Sequence, residues 1–225
     1  MLDQKLFAEA SRLLISREDR LFSRGSGPQC LEEEHALHND LDALLDRVWA
    51  IQSTFTSPSS TSSSSSSSFQ EDLHLLQSAA SVIQQQEAQD RCWKKQWKNE
   101  KHGGGRGARL PVWRPLECLQ THRKLLATMV ESRLNRAPVD HGEASKLSSA
   151  AKRELCGVGR RLKEDLLVVA RKVSRCYPEE LGIPKLYANL YHQAFARRMT
   201  ELARSRLGID ECIYLLLWVN DYYPK

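Results

Sequence analysis

Leu37, Leu41, Leu44, Val48, Ile51 and Phe55 recur at intervals of 4, 3, 4, 3 and 4 residues. A helix turns once in about 3.6 residues, so these side chains form one apolar seam along a single face. Such a seam calls for a partner helix. Leu73, Leu76, Ala80 and Ile83 continue the same rhythm further on. Between the two lies a tract of Thr, Pro and mostly Ser at 56–68 that has nothing to bury. It reads as a flexible loop whose length is neutral. Residues 1–101 are therefore expected to form N-terminal helices with a coiled-coil-like, antiparallel hairpin at their centre.

Helical periodicity continues on both sides. An amphipathic pattern covers 1–22 and is closed by Ser23-Arg24-Gly25-Ser26-Gly27-Pro28. The Gly-rich run 103–107 and Pro111 make 102–114 a basic Gly/Pro linker. Pro115 suits the first turn of a helix reaching Arg136. A long helix is expected from Ala144 to Cys176, about 50 Å at 1.5 Å per residue. Further helices are predicted over 185–207, with Gly208 as C-cap, and over 211–220, with Asp210 as N-cap. No strand-period segment of useful length appears. The fold class expected is all-α, an elongated multi-helix bundle. Its C-terminal part, 115–225, is a helical bundle.

Composition narrows the function. Of 225 residues, 41% are hydrophobic and 27% charged, as in a folded soluble protein. No apolar run reaches transmembrane length, and the N-terminus, with Asp3 and Glu9, lacks the pattern of a signal peptide. Localisation in the cytoplasm is expected. The cysteines at 30, 92, 118, 156, 176 and 212 fit no zinc spacing and read as buried free thiols. A phosphate-binding loop fails because Gly107 is followed by Ala108 and Arg109. Gly157-Val158-Gly159 reads as small residues where helices approach closely. His35 and His38 share a face but lack a third metal ligand, and read as exposed polar residues. No catalytic, metal or cofactor constellation can be assigned, and no small-molecule substrate is implied.

The charge is unevenly distributed. Residues 1–90 carry 6 basic and 14 acidic side chains, a net of −8, whereas 91–175 carry 21 and 8, a net of +13. The densest stretch, 91–114, holds eight basic residues against Glu100 alone. Arg91, Lys94, Lys95, Lys98, Lys101, Arg106, Arg109 and Arg114 are the candidate contacts for anionic lipid or another polyanion. Trp93, Trp97 and Trp113 are interleaved with them and read, by a small margin, as packing residues. A nucleic-acid partner is disfavoured, because no helix-turn-helix or RNA-binding signature is present.

The C-terminal half carries a resemblance. Leu162-Lys163-Glu164-Asp165-Leu166-Leu167-Val168-Val169, Cys176-Tyr177-Pro178, the run Leu186–Phe195 and the run Tyr214–Pro224 resemble the exocyst component 3-like family. Glu87, Asp90-Arg91 and Trp93 fit it too, as do Trp113-Arg114-Pro115 and Val130-Glu131-Ser132-Arg133. The resemblance spans about 70–225 and implies a rod-like tethering-complex architecture. It also implies a non-enzymatic tethering or scaffold role in exocytosis. The partners implied are exocyst subunits, SNARE proteins, a small Ras-like GTPase and the phosphoinositide membrane, with peripheral association at the plasma membrane. Family members are much longer, so the chain reads as an N-terminal portion or fragment, truncated at its C-terminus. Its apolar face at Ile213–Val219 would then await a further helix. A helical protein–protein adaptor without membrane contact is the alternative.

Overall fold

The computed structural model describes residues 6–23, 28–55, 66–102, 110–136 and 149–222. All regular structure among them is helical: α1 (Phe7–Ser23), α2 (Pro28–Phe55), α3 (Ser66–His102), α4 (Cys118–Asn135), α5 (Ala150–Arg171), α6 (Ile183–Arg204) and α7 (Ile209–Leu217). Short 3-10 turns lie at Val173–Cys176 and Glu179–Leu181, and a π turn at Trp218–Tyr222. The chain divides into two compact units. One comprises 1–125 and 175–181, the other 126–174 and 182–225. The division falls inside α4. Of the stretch 102–114, residues 103–109 lie outside the described residues, and Pro111 and Arg114 are buried in the first unit with Cys118.

The apolar seam of α2 is the core of the first unit. Leu37, Leu41, Leu44 and Val48 are each no more than 2% exposed. Leu76, Ala80 and Ile83 of α3 are equally buried. The partner that the spacing demanded turns out to be two helices. Phe7 and Ala10 of α1 join Leu44, Val48, Ala79, Val82 and Ile83 in one cluster. Hydrogen bonds set the directions. Ala8, Ser11 and Glu18 bond to Ser78, Gln86 and Gln89 in ascending order, so α1 and α3 run parallel. Arg17 meets Asp40 while Phe7 packs near Leu44 and Val48, so α2 runs the other way.

A second, polar layer closes the first unit. Tyr177 donates to Gln52 Oε1 at 2.5 Å, and His122 Nε2 lies 3.2 Å from the same hydroxyl. With that hydroxyl proton committed to Gln52, Nε2 of His122 is the donor, and Nδ1 is left without a partner. His122 is fully buried, and burial first, then nearby Arg123, lowers its pKa to about 4. The unfolded chain binds this proton near pH 6.5 and the folded chain only near 4. Between those values the unfolded state holds more protons, so stability falls as pH drops through the window. The expected loss is at most about 3 kcal/mol. Urea titrations at pH 7 and pH 4 check this: H122Q should lose distinctly less stability between the two than the wild type.

The second unit packs α5, α6 and α7 with the later turns of α4. Its core includes Val130 and Leu134 from α4, Leu155 and Val158 from α5, and Tyr187, Tyr191 and Phe195 from α6. The three aromatics are thus core. α5 is shorter than the periodicity suggested, 22 residues, because the chain tightens into a 3-10 turn at Val173. Ser149 caps its start by accepting from the Lys152 amide. The expected caps near the last helix are corrected too. Ser205 closes α6, and Gly208 opens α7, with its N–H donated to Glu211 Oε2 at 2.8 Å. Asp210 falls within the first turn of α7.

Gly159 sits where a methyl group would overlap the ring of Trp218, which itself packs on Phe195. G159A trades a helix-propensity gain of about 1 kcal/mol against overpacking of about 1–3 kcal/mol. A net loss of about 1–2 kcal/mol is expected. Pairing it with W218L should recover stability relative to W218L alone, because the methyl then has room; thermal melts of the four proteins measure this coupling.

Candidate interaction surface on α3

α3 is the longest helix, 37 residues, and its two halves differ in kind. The first half is apolar on the side facing α1 and α2. The second buries Gln86, Gln89, Asp90 and Trp93 instead. Opposite these, Arg91, Lys94, Lys95 and Lys98 are all exposed. At about 100° per residue they occupy an arc of about 100°. Four cations thus form one strip, held by a helix whose other face is fixed in the core. Lys101 lies in α3, but its side chain lies outside the described residues, as do Arg106 and Arg109.

Arg114 does not belong to this strip. Its side chain is 4% exposed and sits in a buried polar hub. Nε and Nη2 bind Glu18 at 3.0 and 2.9 Å, and Nη1 binds Asp90 at 2.8 Å. Nη2 also reaches Gln86 Oε1 at 2.8 Å. Burial lowers the Arg114 pKa, but hydrogen bonds and charge from Glu18 and Asp90 outweigh it and raise the net value. Two carboxylates face one guanidinium, and neutral donors make up the difference. Glu18 accepts from Trp93 and Trp113, and Asp90 accepts from the Leu116 and Glu117 amides. The last contacts, with Glu87 accepting from Leu119 N, supply partners to amides leading into α4. A charge count places Arg114 at the surface; the hub's carboxylates, 24 and 96 residues away in sequence, draw it inside.

The tryptophans divide in the same way. Trp93 is buried, with its N–H on Glu18 and its ring edge-on to Phe22. Trp113 stacks on His38 at 5.1 Å and 8°. Trp97 remains 49% exposed, one turn along from Trp93. Arg123 of α4 is exposed as well and lies outside the basic stretch read from the sequence. Its proximity to α3 arises only in the fold.

The five described cysteines are free; Cys118 and Cys176 are buried, while Cys92 and Cys212 are exposed, unlike the buried thiols expected. Burial pushes the Cys118 thiol up to about 12, followed by the charges of Asp90 and Glu87. His38 lies 3.6 Å from Asp42. Among the described residues no group of three or more His, Cys, Asp or Glu side chains is placed to hold a metal ion. None of their helices is long and apolar enough to cross a membrane.

Comparison with known proteins gives this arrangement a family. The chain is 33% identical over 150 residues to mouse tumor necrosis factor alpha-induced protein 2, covering 67% of this chain and 20% of that protein. The human protein of that name is 31% identical over 151 residues, 67% of this chain and 21% of its own. Exocyst complex component 3 of Caenorhabditis elegans is 25% identical over 113 residues, 50% of this chain and 14% of that protein. The chain thus spans about a fifth or less of these relatives. A crystal structure of M-Sec superposes with a TM-score of 0.65 at 25% identity, over 97% of this chain and 34% of that one. The profile of the exocyst complex component Sec6 family matches residues 59–225, well over half of the sequence. The helical architecture and this match agree: the chain belongs to the Sec6 family of exocyst components.

Proposed function

We propose that this chain serves a non-enzymatic, exocyst-type tethering scaffold in exocytosis, working in the cytoplasm at the plasma membrane. Its partners in this reading are other exocyst subunits, SNARE proteins and a small Ras-like GTPase. The α3 strip is its contact with anionic, phosphoinositide-containing membrane. The observation that carries the reading is the Sec6-family match over 59–225 on a chain that presents four exposed cations along one helix face. Each basic residue near an anionic bilayer contributes on the order of 1 kcal/mol, so four supply on the order of 4 kcal/mol. That is reversible, salt-sensitive binding, as a peripheral tether requires.

Liposome flotation across anionic lipid fraction and salt tests this. The wild type should float only with anionic lipid, and K94E/K95E/K98E should stay behind. If neither floats, the scaffold works through proteins alone, as an adaptor without membrane contact. If excess RNA strips the protein from the vesicles, the strip is a general polyanion site.

A further inference from the structure

A cleft of about 490 Å³ opens beside the strip, wholly within the first unit. One wall is α3, and the other is the segment from Leu110 into the start of α4. Trp93, Trp97, Leu110, Pro111, Pro115 and Leu119 give it an apolar lining. Arg91 and Lys94 stand on the α3 side and Arg123 on the α4 side, all three exposed. Asp90 and Arg114 also line it and are engaged with each other in the buried hub. Glu87, bonded to the Leu119 amide, and the exposed Glu117 are the remaining carboxylates.

We infer that this cleft is a docking site for a short acidic peptide segment of a partner protein, anchored by one large apolar side chain. Size and lining come first. The volume lies within the range of about 300–1,000 Å³ typical of ligand sites, and a half-exposed indole at its mouth is the residue type that dominates binding energy in interfaces. Charge complementarity sets the peptide's sign. Cations stand on both walls beside the apolar lining, so carboxylates on either side of an apolar anchor would meet Arg91 and Lys94 on one hand and Arg123 on the other. Shape and residual polarity favour a peptide over a lipid surface. A bilayer is too flat to enter a cleft. A peptide brings backbone N–H groups that Glu117 and the exposed Gln120 can accept. Lys95 and Lys98 are not part of the lining, so cleft and strip can be separated by mutation.

The test uses fluorescein-labelled 12-residue peptides and the full 225-residue chain, read by fluorescence anisotropy. The probe alternates Asp and Glu around a central Phe-Leu pair. Its controls replace that pair by Ser-Ser, or every acid by Lys. The acidic, anchored probe should bind at least tenfold more tightly than either control. W97A and R123E, both at exposed positions, should each weaken it about tenfold or more with unchanged circular dichroism and melting temperature. K95E/K98E should change it less than threefold. The proposal is overturned if the Ser-Ser control binds as well as the probe, or if W97A and R123E both leave affinity unchanged. It is equally overturned if K95E/K98E abolishes binding while the cleft variants do not, which would make the surface a membrane-type polyanion contact only.

Discussion

R114A is expected to destabilise the chain by about 3–5 kcal/mol, enough to remove much of the stability of a domain this size. The loss comes from what is left behind. Glu18 and Asp90, both under 10% exposed, would keep their charges in the interior with no cation to face. Four hydrogen bonds from the guanidinium would vanish at once. R114K should recover little, because an ammonium cannot reproduce the fork that grips Glu18 with two nitrogens while reaching Asp90 with a third. Urea unfolding followed by circular dichroism measures the loss. Combining R114A with E18Q should cost far less than the sum of the two single changes, since each removes the reason the other is harmful. Simple additivity would show that the hub is not a coupled unit.

The matching experiment in the second unit is D165A, with an expected loss of about 3–4 kcal/mol. Asp165 is 4% exposed and accepts from Arg133 Nε at 2.7 Å, Arg133 Nη2 at 2.5 Å and the Tyr191 hydroxyl at 2.6 Å. Its removal leaves a hydroxyl on a residue that is 1% exposed, and a guanidinium that is only 13% exposed, without the anion they share. D165N should fall between, because it keeps the shape and one acceptor but turns an amide group towards a cation or a hydroxyl. The Arg133 side chain can reach some water, which is why the figure sits below that for Arg114. Denaturant titration read by tryptophan fluorescence measures it. A change under 1 kcal/mol would mean that water readily replaces Asp165.

What was legible in the sequence was whatever repeats. The seam from Leu37 to Val48 announces its helix and its need for a partner, because apolar burial leaves a period in the sequence. The family blocks were legible because each is a short contiguous run of residues. The hub has no such period. Glu18, Asp90 and Arg114 look like ordinary surface charges until α1 and α3 are laid side by side. Helix caps were misplaced where two residues could serve, as at Gly208 and Asp210, since the winner is decided by where Glu211 reaches. Of the candidate site, the basic strip on α3 could be read from local charge density. The cleft could not, because Arg123 and Leu119 approach Trp97 only through the turn of chain before α4.

Tyr177 belongs to the first unit although it follows α5 in sequence. That placement has a consequence for how the chain is made. A ribosome delivers residues 1–125 first, and α1, α2 and α3 can associate as soon as Arg114 has emerged. The hydroxyl that Gln52 and His122 wait for arrives more than fifty residues later, after the whole of α5. During that interval the nascent first unit lacks its final contact and exposes a polar gap where Tyr177 will sit. Completion of the first unit is therefore gated by synthesis of part of the second, and a chain cut after Leu125 would remain in that unfinished state.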